Sequence, residues 1–282
     1  NFGWTISISG DYALVGALND DDNGENTGSA YVFVRDGDNW SQQAKLVADD
    51  AEAGDQFSMG DVSIDGDYAI IGAHVEGNRA GAAYIFVHDG ENWTQQVKLT
   101  SNDPVAGDHF GAKVSIDGSY ALVSSTQDGQ GRPRLGYVYV YVREGEDWVY
   151  QSTLTPNDAA EGDVFGRSVS LNGNYAVIGT PLDQDAGNES GSAYVFVRDG
   201  ENWSQQAKLT SDDLAAGDQF GLSVSISGDY ISIGSHQDDD DGDNSGSVYV
   251  FRRDGEDWVQ EQKLIAEDAE AGDLFGRSIS GS

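Results

Sequence analysis

Phenylalanine stands at positions 2, 57, 110, 165, 220 and 275, at intervals of 55, 53, 55, 55 and 55 residues, and each opens the same succession of short alternating runs and turns. A period of about 50 residues, built from strands and turns alone, restricts a chain to a solenoid, a propeller or an array of small sheets. The length of 282 residues therefore counts repeats rather than conventional domains. The units run 2–56, 57–109, 110–164, 165–219 and 220–274, and 275–282 begins another.

The fourth unit is the most regular. Ser168 to Leu171 alternates polar and apolar residues as a half-buried strand does, Asn172-Gly173-Asn174 supplies a tight hairpin turn, and Tyr175 to Gly179 forms a second strand. A polar loop, Asp183 to Ser190, leads to a third strand over Gly191 to Val197. Asp199-Gly200 turns the chain into a fourth, from Trp203 through Leu209. Four antiparallel strands joined by short turns make a propeller blade, so the fold class is an all-β propeller of four-stranded blades: five complete repeats plus one extra inner strand. One blade cannot bury both of its faces. Trp40, Trp93, Trp148, Trp203 and Trp258 share one repeat position and Tyr31, Tyr84, Tyr139, Tyr194 and Tyr249 another, which predicts that both rows pack between blades.

These residues resemble the FG-GAP repeat, the blade unit of integrin α-subunit propellers and of many bacterial and archaeal surface proteins. Phe2-Gly3, Phe110-Gly111, Phe165-Gly166, Phe220-Gly221 and Phe275-Gly276 carry the first element, and Gly16-Ala17, Gly72-Ala73 and Gly179-Thr180-Pro181 the looser second one. Phe57-Ser58 departs from the pattern, and its following run starts one residue late, which predicts a bulge. The resemblance covers essentially the whole chain and implies that the first strand lines an axis and the fourth a rim. It also implies an extracellular or cell-surface setting. Integrin-type repeats hold calcium between the first two strands, where this chain has only turns such as Ser9-Gly10-Asp11, so that site does not transfer.

Charge is the second constraint. Forty-nine acidic residues face fifteen basic ones, a formal net charge of −34. Such a field repels phosphate, and no basic stripe offsets it, which disfavours nucleic acid and anionic membranes as partners. No stretch approaches the roughly 18 apolar residues of a membrane span, which predicts no direct insertion. The acids recur in the turns of every repeat, and the only lysines are Lys45, Lys98, Lys113, Lys208 and Lys263. An Asp-rich, Lys-poor surface suits high salt and a halophilic or marine source. With no cysteine, the chain has neither disulfides nor thiol chemistry.

Two acidic loop families are predicted on one face of the blades. Between second and third strands stand Asp20-x-Asp22-x-Gly24, Asp183-x-Asp185-x-Gly187 and Asp238-x-Asp240-x-Gly242, alternating oxygen ligands of the kind a hard cation such as Ca²⁺ takes from a loop. Asp20, Asp22, Asp183, Asp185, Asp238 and Asp240 are thus candidate calcium ligands, beside the plainer reading of solvated acidic turns. The second repeat has Glu76 and Asn78 in a shorter loop, and the third has Asp128, Gln130 and a pair of arginines, Arg132 and Arg134, read as repeat drift or, alternatively, as a place to meet an anion or a neighbouring acidic blade. Between blades every repeat reads Asp-x-x-x-Gly-Asp, ending at Asp55, Asp108, Asp163, Asp218 and Asp273, which predicts turns tied by side-chain to backbone hydrogen bonds.

His74, His88, His109 and His236 are expected at the surface without serine or acid partners, and the acids are copies of one another rather than unlike groups with separated pKa values. Catalysis is not expected. The leading expectation is a non-catalytic extracellular module for surface structure, adhesion or protein contact, part of a six- or seven-bladed propeller or a longer array, with a five-bladed ring whose terminal strand is displaced or frayed as the alternative. Behind it stand a calcium-dependent, lectin-like propeller that binds glycans and, last, a glycosidase or lyase.

Overall fold

The computed structural model describes residues 1–126 and 135–281. Its strands form five four-stranded antiparallel sheets, each in sequential order. The first blade comprises β1 (Phe2–Ser9), β2 (Tyr12–Ala17), β3 (Ser29–Asp36) and β4 (Asn39–Leu46). The second comprises β5 (Val62–Asp65), β6 (Tyr68–Ala73), β7 (Ala82–His88) and β8 (Trp93–Leu99), and the third β9 (Phe110–Asp117), β10 (Tyr120–Ser125), β11 (Tyr137–Glu144) and β12 (Asp147–Leu154). The fourth has β13 (Ser168–Asn172), β14 (Tyr175–Thr180), β15 (Ser192–Asp199) and β16 (Asn202–Leu209), and the fifth β17 (Ser223–Ser227), β18 (Tyr230–Ser235), β19 (Ser247–Asp254) and β20 (Asp257–Leu264). The second blade's β6–β7 loop makes a tight turn over Glu76–Arg79, in which Gly77, Asn78 and Arg79 adopt left-handed φ of 59°, 61° and 63°. The chain divides into two compact units, one of residues 1–132 and 139–152, the other of 133–138 and 153–282.

Within each unit the blades pack in the same way. In the first, Val62 and Ile64 of β5 are buried against Leu14, Ala30, Val32 and Leu46 of the preceding blade. In the second, Val224 and Ile226 of β17 lie against Val177, Val195 and Leu209. First strands of successive blades run side by side, and fourth strands barely touch. Serines on the first strands link neighbours: Ser7 Oγ accepts the Ile64 amide at 3.1 Å, Ser63 Oγ that of Ile116 at 3.1 Å, and Ser170 Oγ that of Ile226 at 3.1 Å.

The Phe-Gly element closes each joint. Phe57, Phe110, Phe165 and Phe220 are fully buried, packed edge-on or tilted against a tyrosine and a second aromatic of their own blade's third strand. Phe57, Phe110, Phe220 and Phe275 each make one parallel bridge to a glycine of the previous blade, at Gly28, Gly81, Gly191 and Gly246. A Cβ at Gly191 would lie 2.2 Å from the Phe220 carbonyl oxygen, so no larger residue fits there. Ser58, where the pattern expects glycine, adopts the same left-handed backbone (φ 72°) as Gly111 (φ 86°). Its fully buried Oγ accepts the Ala17 amide at 3.0 Å and donates to the Ser29 carbonyl at 2.8 Å, interactions that a glycine cannot make. The departure expected at 57–61 is therefore real, and β5 begins only at Val62. Residues 275–281 repeat the joint through Phe275, and Gly281 donates to Ser225 Oγ at 2.8 Å, but no strand forms there.

Candidate functional site

The two acidic loop families do meet, and an ammonium group stands where they meet. The strand register fixes this: Lys45, Lys98, Lys208 and Lys263 are the cross-strand partners of Tyr31, Tyr84, Tyr194 and Tyr249, after a bulge that recurs in each blade. Each Nζ lies over its tyrosine ring, 5.2 to 5.5 Å from the centroid. In the fourth blade Lys208 Nζ reaches Asp183 at 2.8 Å and Asp185 at 2.7 Å from the β14–β15 loop, and Asp158 at 2.8 Å from the connection before the blade. Lys263 repeats the arrangement with Asp213, Asp238 and Asp240. Lys45 meets Asp20 at 2.9 Å and Asp22 at 2.6 Å. Lys98 meets Asp50 and, in the shorter loop, Glu76 at 2.7 Å.

The innermost carboxylate is the most enclosed. The side chain of Asp183 is 4% exposed, against 69% for Asp185. Its Oδ1 accepts the Asp185 amide at 2.9 Å, and its Oδ2 accepts Ser192 Oγ at 2.7 Å, Tyr194 OH at 3.0 Å and Lys208 Nζ. Burial opposes its ionisation, but Lys208, the Asp185 amide and Ser192 outweigh burial and hold its pKa below the ordinary aspartate value. Asp20 follows the same pattern, with Tyr31, the Asp22 amide, Lys45 and Ser29 overcoming burial. Burial likewise disfavours the Lys208 ammonium, and Asp158, Asp183 and Asp185 raise its pKa nonetheless.

Asp20, Asp22, Asp183, Asp185, Asp238 and Asp240 thus converge pair by pair, but on lysine. A carboxylate offers about four acceptor positions, and those of Asp183 are taken up by the amide, two hydroxyls and the ammonium. Calcium asks for six to eight oxygens at about 2.3–2.6 Å, and among the described residues no group of three or more acidic, histidine or cysteine side chains is free to hold a metal. These residues do not fit a calcium centre while lysine is in place. The recurrence of Lys45, Lys98, Lys208 and Lys263 immediately before the last leucine of the fourth strand, in four of the five repeats, is the sequence signal that leads to this site.

The Asp-x-x-x-Gly-Asp connections are tied turns in all five repeats. Asp55, Asp108, Asp163, Asp218 and Asp273 each accept the backbone amide three residues earlier, at 2.7 to 2.9 Å. Three of the five tryptophans pack as expected: the Nε1 groups of Trp93, Trp148 and Trp258 donate to Gln43, Gln96 and Gln206 of the preceding blade, at 2.9 to 3.1 Å, whereas Trp203 is half-buried and Trp40 of the first blade, with no blade before it in sequence, is exposed. The histidines depart from the expected surface positions. His88 is buried, stacked on Trp93 with Tyr12 at its edge, because the neighbouring blade covers it. His236 is buried too, and burial together with the charges of Arg277 and Arg167 lowers its pKa. Arg132 and Arg134 lie outside the described residues. A cavity of about 350 Å³ beside β16 is lined by Thr153, Leu154, Asn157, Phe196, Trp203 and Gln205 among others, none of them ionisable.

A second surface feature lies on β1. Ile6 and Ile8 share one face of β1 and, like Phe2 and Trp4 beyond the bulge that precedes them, are 57–66% exposed, although Trp4 Nε1 donates to the Met59 carbonyl at 3.1 Å; Val62, Ile64, Val114, Ile116, Val224 and Ile226, the equivalents of Ile6 and Ile8 in later blades, are at most 7% exposed. On β20, Leu264 is 37% exposed where Leu46, Leu99, Leu154 and Leu209 are buried.

Repeated four-stranded blades with an aromatic-glycine joint define a β-propeller repeat protein. The FG-GAP repeat family model matches residues 1–33, 40–86, 93–141, 148–196, 203–251 and 258–282, and the chain belongs to that family. Among solved structures, a protein from Lactobacillus plantarum shares the fold, with a TM-score of 0.61 at 15% identity over 94% of this chain and 71% of its own. No curated protein matches the sequence significantly. Membership of this family suggests a protein-interaction module.

Proposed function

We propose that the chain is a non-catalytic contact module of an extracellular or cell-surface protein, and that the apolar stripe on β1 is a contact surface. The stripe carries this reading. Ile6 and Ile8, with the exposed rings of Phe2 and Trp4 on the same strand, form the kind of exposed apolar surface that soluble proteins reserve for interaction. Its equivalents at β5, β9 and β17 are covered by the second to fourth strands of another blade, so the partner it fits is a further FG-GAP blade, within a six- or seven-bladed propeller or a longer array. The ionisable groups favour no enzyme, since the lysine knots repeat one design and the buried histidines pack on aromatics or lie beside arginines. The lectin-like reading has less support, because three of the five tryptophans that a glycan could stack on are buried with their indole N–H groups engaged.

Sedimentation velocity tests the surface. The chain is expected to self-associate as its concentration rises to about 100 μM, in the affinity range of weak contacts, and Ile6→Lys with Ile8→Lys should abolish association while leaving the circular dichroism unchanged. A monomer at every concentration, indistinguishable from the double variant, refutes the contact reading.

A further inference from the structure

We propose that the fourth-strand lysine is the resident cation of the acidic loops in the first, second, fourth and fifth repeats, and that its ammonium group keeps those loops closed to divalent metals. The inference is independent of the contact surface on β1. It rests on four copies of one arrangement within a single chain. In each, an ammonium stands 2.5 to 3.0 Å from carboxylates contributed by a loop of its own blade, joined in three of the four by one from the preceding connection. The fixed tyrosine beneath holds the ammonium from the other side. Such spacing places the oxygens a few tenths of an ångström beyond calcium distance. The loop is built around one monovalent charge delivered by the sheet itself.

The third repeat is an internal control. Thr153 stands where the other four repeats have lysine, and the loop there also lacks the Asp-x-Asp pair, reading Asp128, Gln130 and Arg132. Acid pair and lysine are lost together, as expected if each exists to neutralise the other. A calcium loop would need its acids whatever the fourth strand carried.

Lys208→Met tests this directly, since it removes the charge and keeps an unbranched side chain over Tyr194. Calcium chloride is the probe, read by thermal melting and isothermal titration. The unmodified chain is expected to melt at the same temperature in 5 mM CaCl₂ as in NaCl of equal ionic strength. Lys208→Met is expected to melt lower in EDTA and to regain part of the loss in calcium. Its dissociation constant should fall on the order of 10⁻⁴–10⁻³ M, the range of sites with few protein ligands, so that 5 mM calcium raises the melting temperature by about 3 °C. Adding Asp185→Asn, at an exposed carboxylate, should abolish that response. Should Lys208→Met fail to fold, Lys45→Met, which frees only Asp20 and Asp22, gives a weaker response by the same criteria. Equal calcium stabilisation of the unmodified chain and the lysine variant overturns the proposal, as does a folded lysine variant that binds no calcium up to 10 mM.

Discussion

Asp218 should make this protein more stable in mild acid than at neutral pH, and Asp218→Asn should remove that dependence. The carboxylate is buried at the joint between the fourth and fifth blades, where Oδ2 accepts the Ala215 amide at 2.7 Å and the backbone carbonyl accepts Ser235 Oγ at 2.9 Å. Burial first, and then the charges of Asp238, Asp239 and Asp240, push its pKa up to about 6. An aspartate in the unfolded chain titrates near 3.9. Between those values the folded state holds a proton that the unfolded state has released, so stability falls as pH rises through this window and levels off above about 7. A displacement from about 3.9 to about 6 corresponds to about 3 kcal/mol at full ionisation. Asparagine keeps an oxygen for the Ala215 amide and carries no charge at any pH. Calorimetric melting at pH 7.5 should therefore show Asp218→Asn above the parent by about 4–8 °C, with the two converging near pH 4.5. Asp163, also shifted upward by burial, adds to the same slope. Below about pH 4 the curve turns over, because Asp20, Asp50, Asp158, Asp183 and Asp213 are held below their ordinary values and lose their hydrogen-bonded charge on protonation. If Asp218→Asn melts lower than the parent by the same amount at both pH values, the charge-assisted bond to the turn outweighs the cost of burying it, and the reasoning fails.

The joint glycines give a sharper test of packing. Gly191→Ala, with a left-handed φ of 86° and a Cβ that would sit 2.2 Å from the Phe220 carbonyl oxygen, should cost at least about 3 kcal/mol in chemical denaturation, whereas Gly200→Ala, with φ 62° and open space around it, should cost about 1 kcal/mol. Equal losses would mean that the parallel bridge bears no close contact. Raising NaCl from about 0.1 M to about 1 M should increase the melting temperature, since 49 acids against 15 bases leave a large excess of negative charge and salt screens its self-repulsion; a fall would show that the lysine knots dominate the surface electrostatics.

Local sequence carried the architecture because each blade is made of contacts between near neighbours in the chain. The Asn172-Gly173 turn and the alternation of Ser168 to Leu171 placed β13 and β14 to within one residue, and the Asp-x-x-x-Gly-Asp spacing carried its own explanation, since acceptor and amide are three residues apart. The loop acids behaved differently. Asp183 and Asp185 read as cation ligands, and a cation is indeed what they meet, but Lys208 lies 25 and 23 residues further on and Asp158 belongs to the previous connection. Their meeting depends on the β15–β16 register, which pairs Tyr194 with Lys208 only because a bulge at Val195 and Phe196 shifts the ladder. The histidines misled for the same reason, as His88 is covered by Tyr12 of the neighbouring blade and its polarity says nothing of that. What the repeats themselves offer is a comparison of five versions of one design. Lysine and acid pair are present together in the first, fourth and fifth and absent together in the third, while the second replaces the pair by Glu76 and keeps the lysine. A group whose presence follows that of its partner across copies is part of the same electrostatic unit, which is why the chain's few lysines say more about its loops than its many aspartates do.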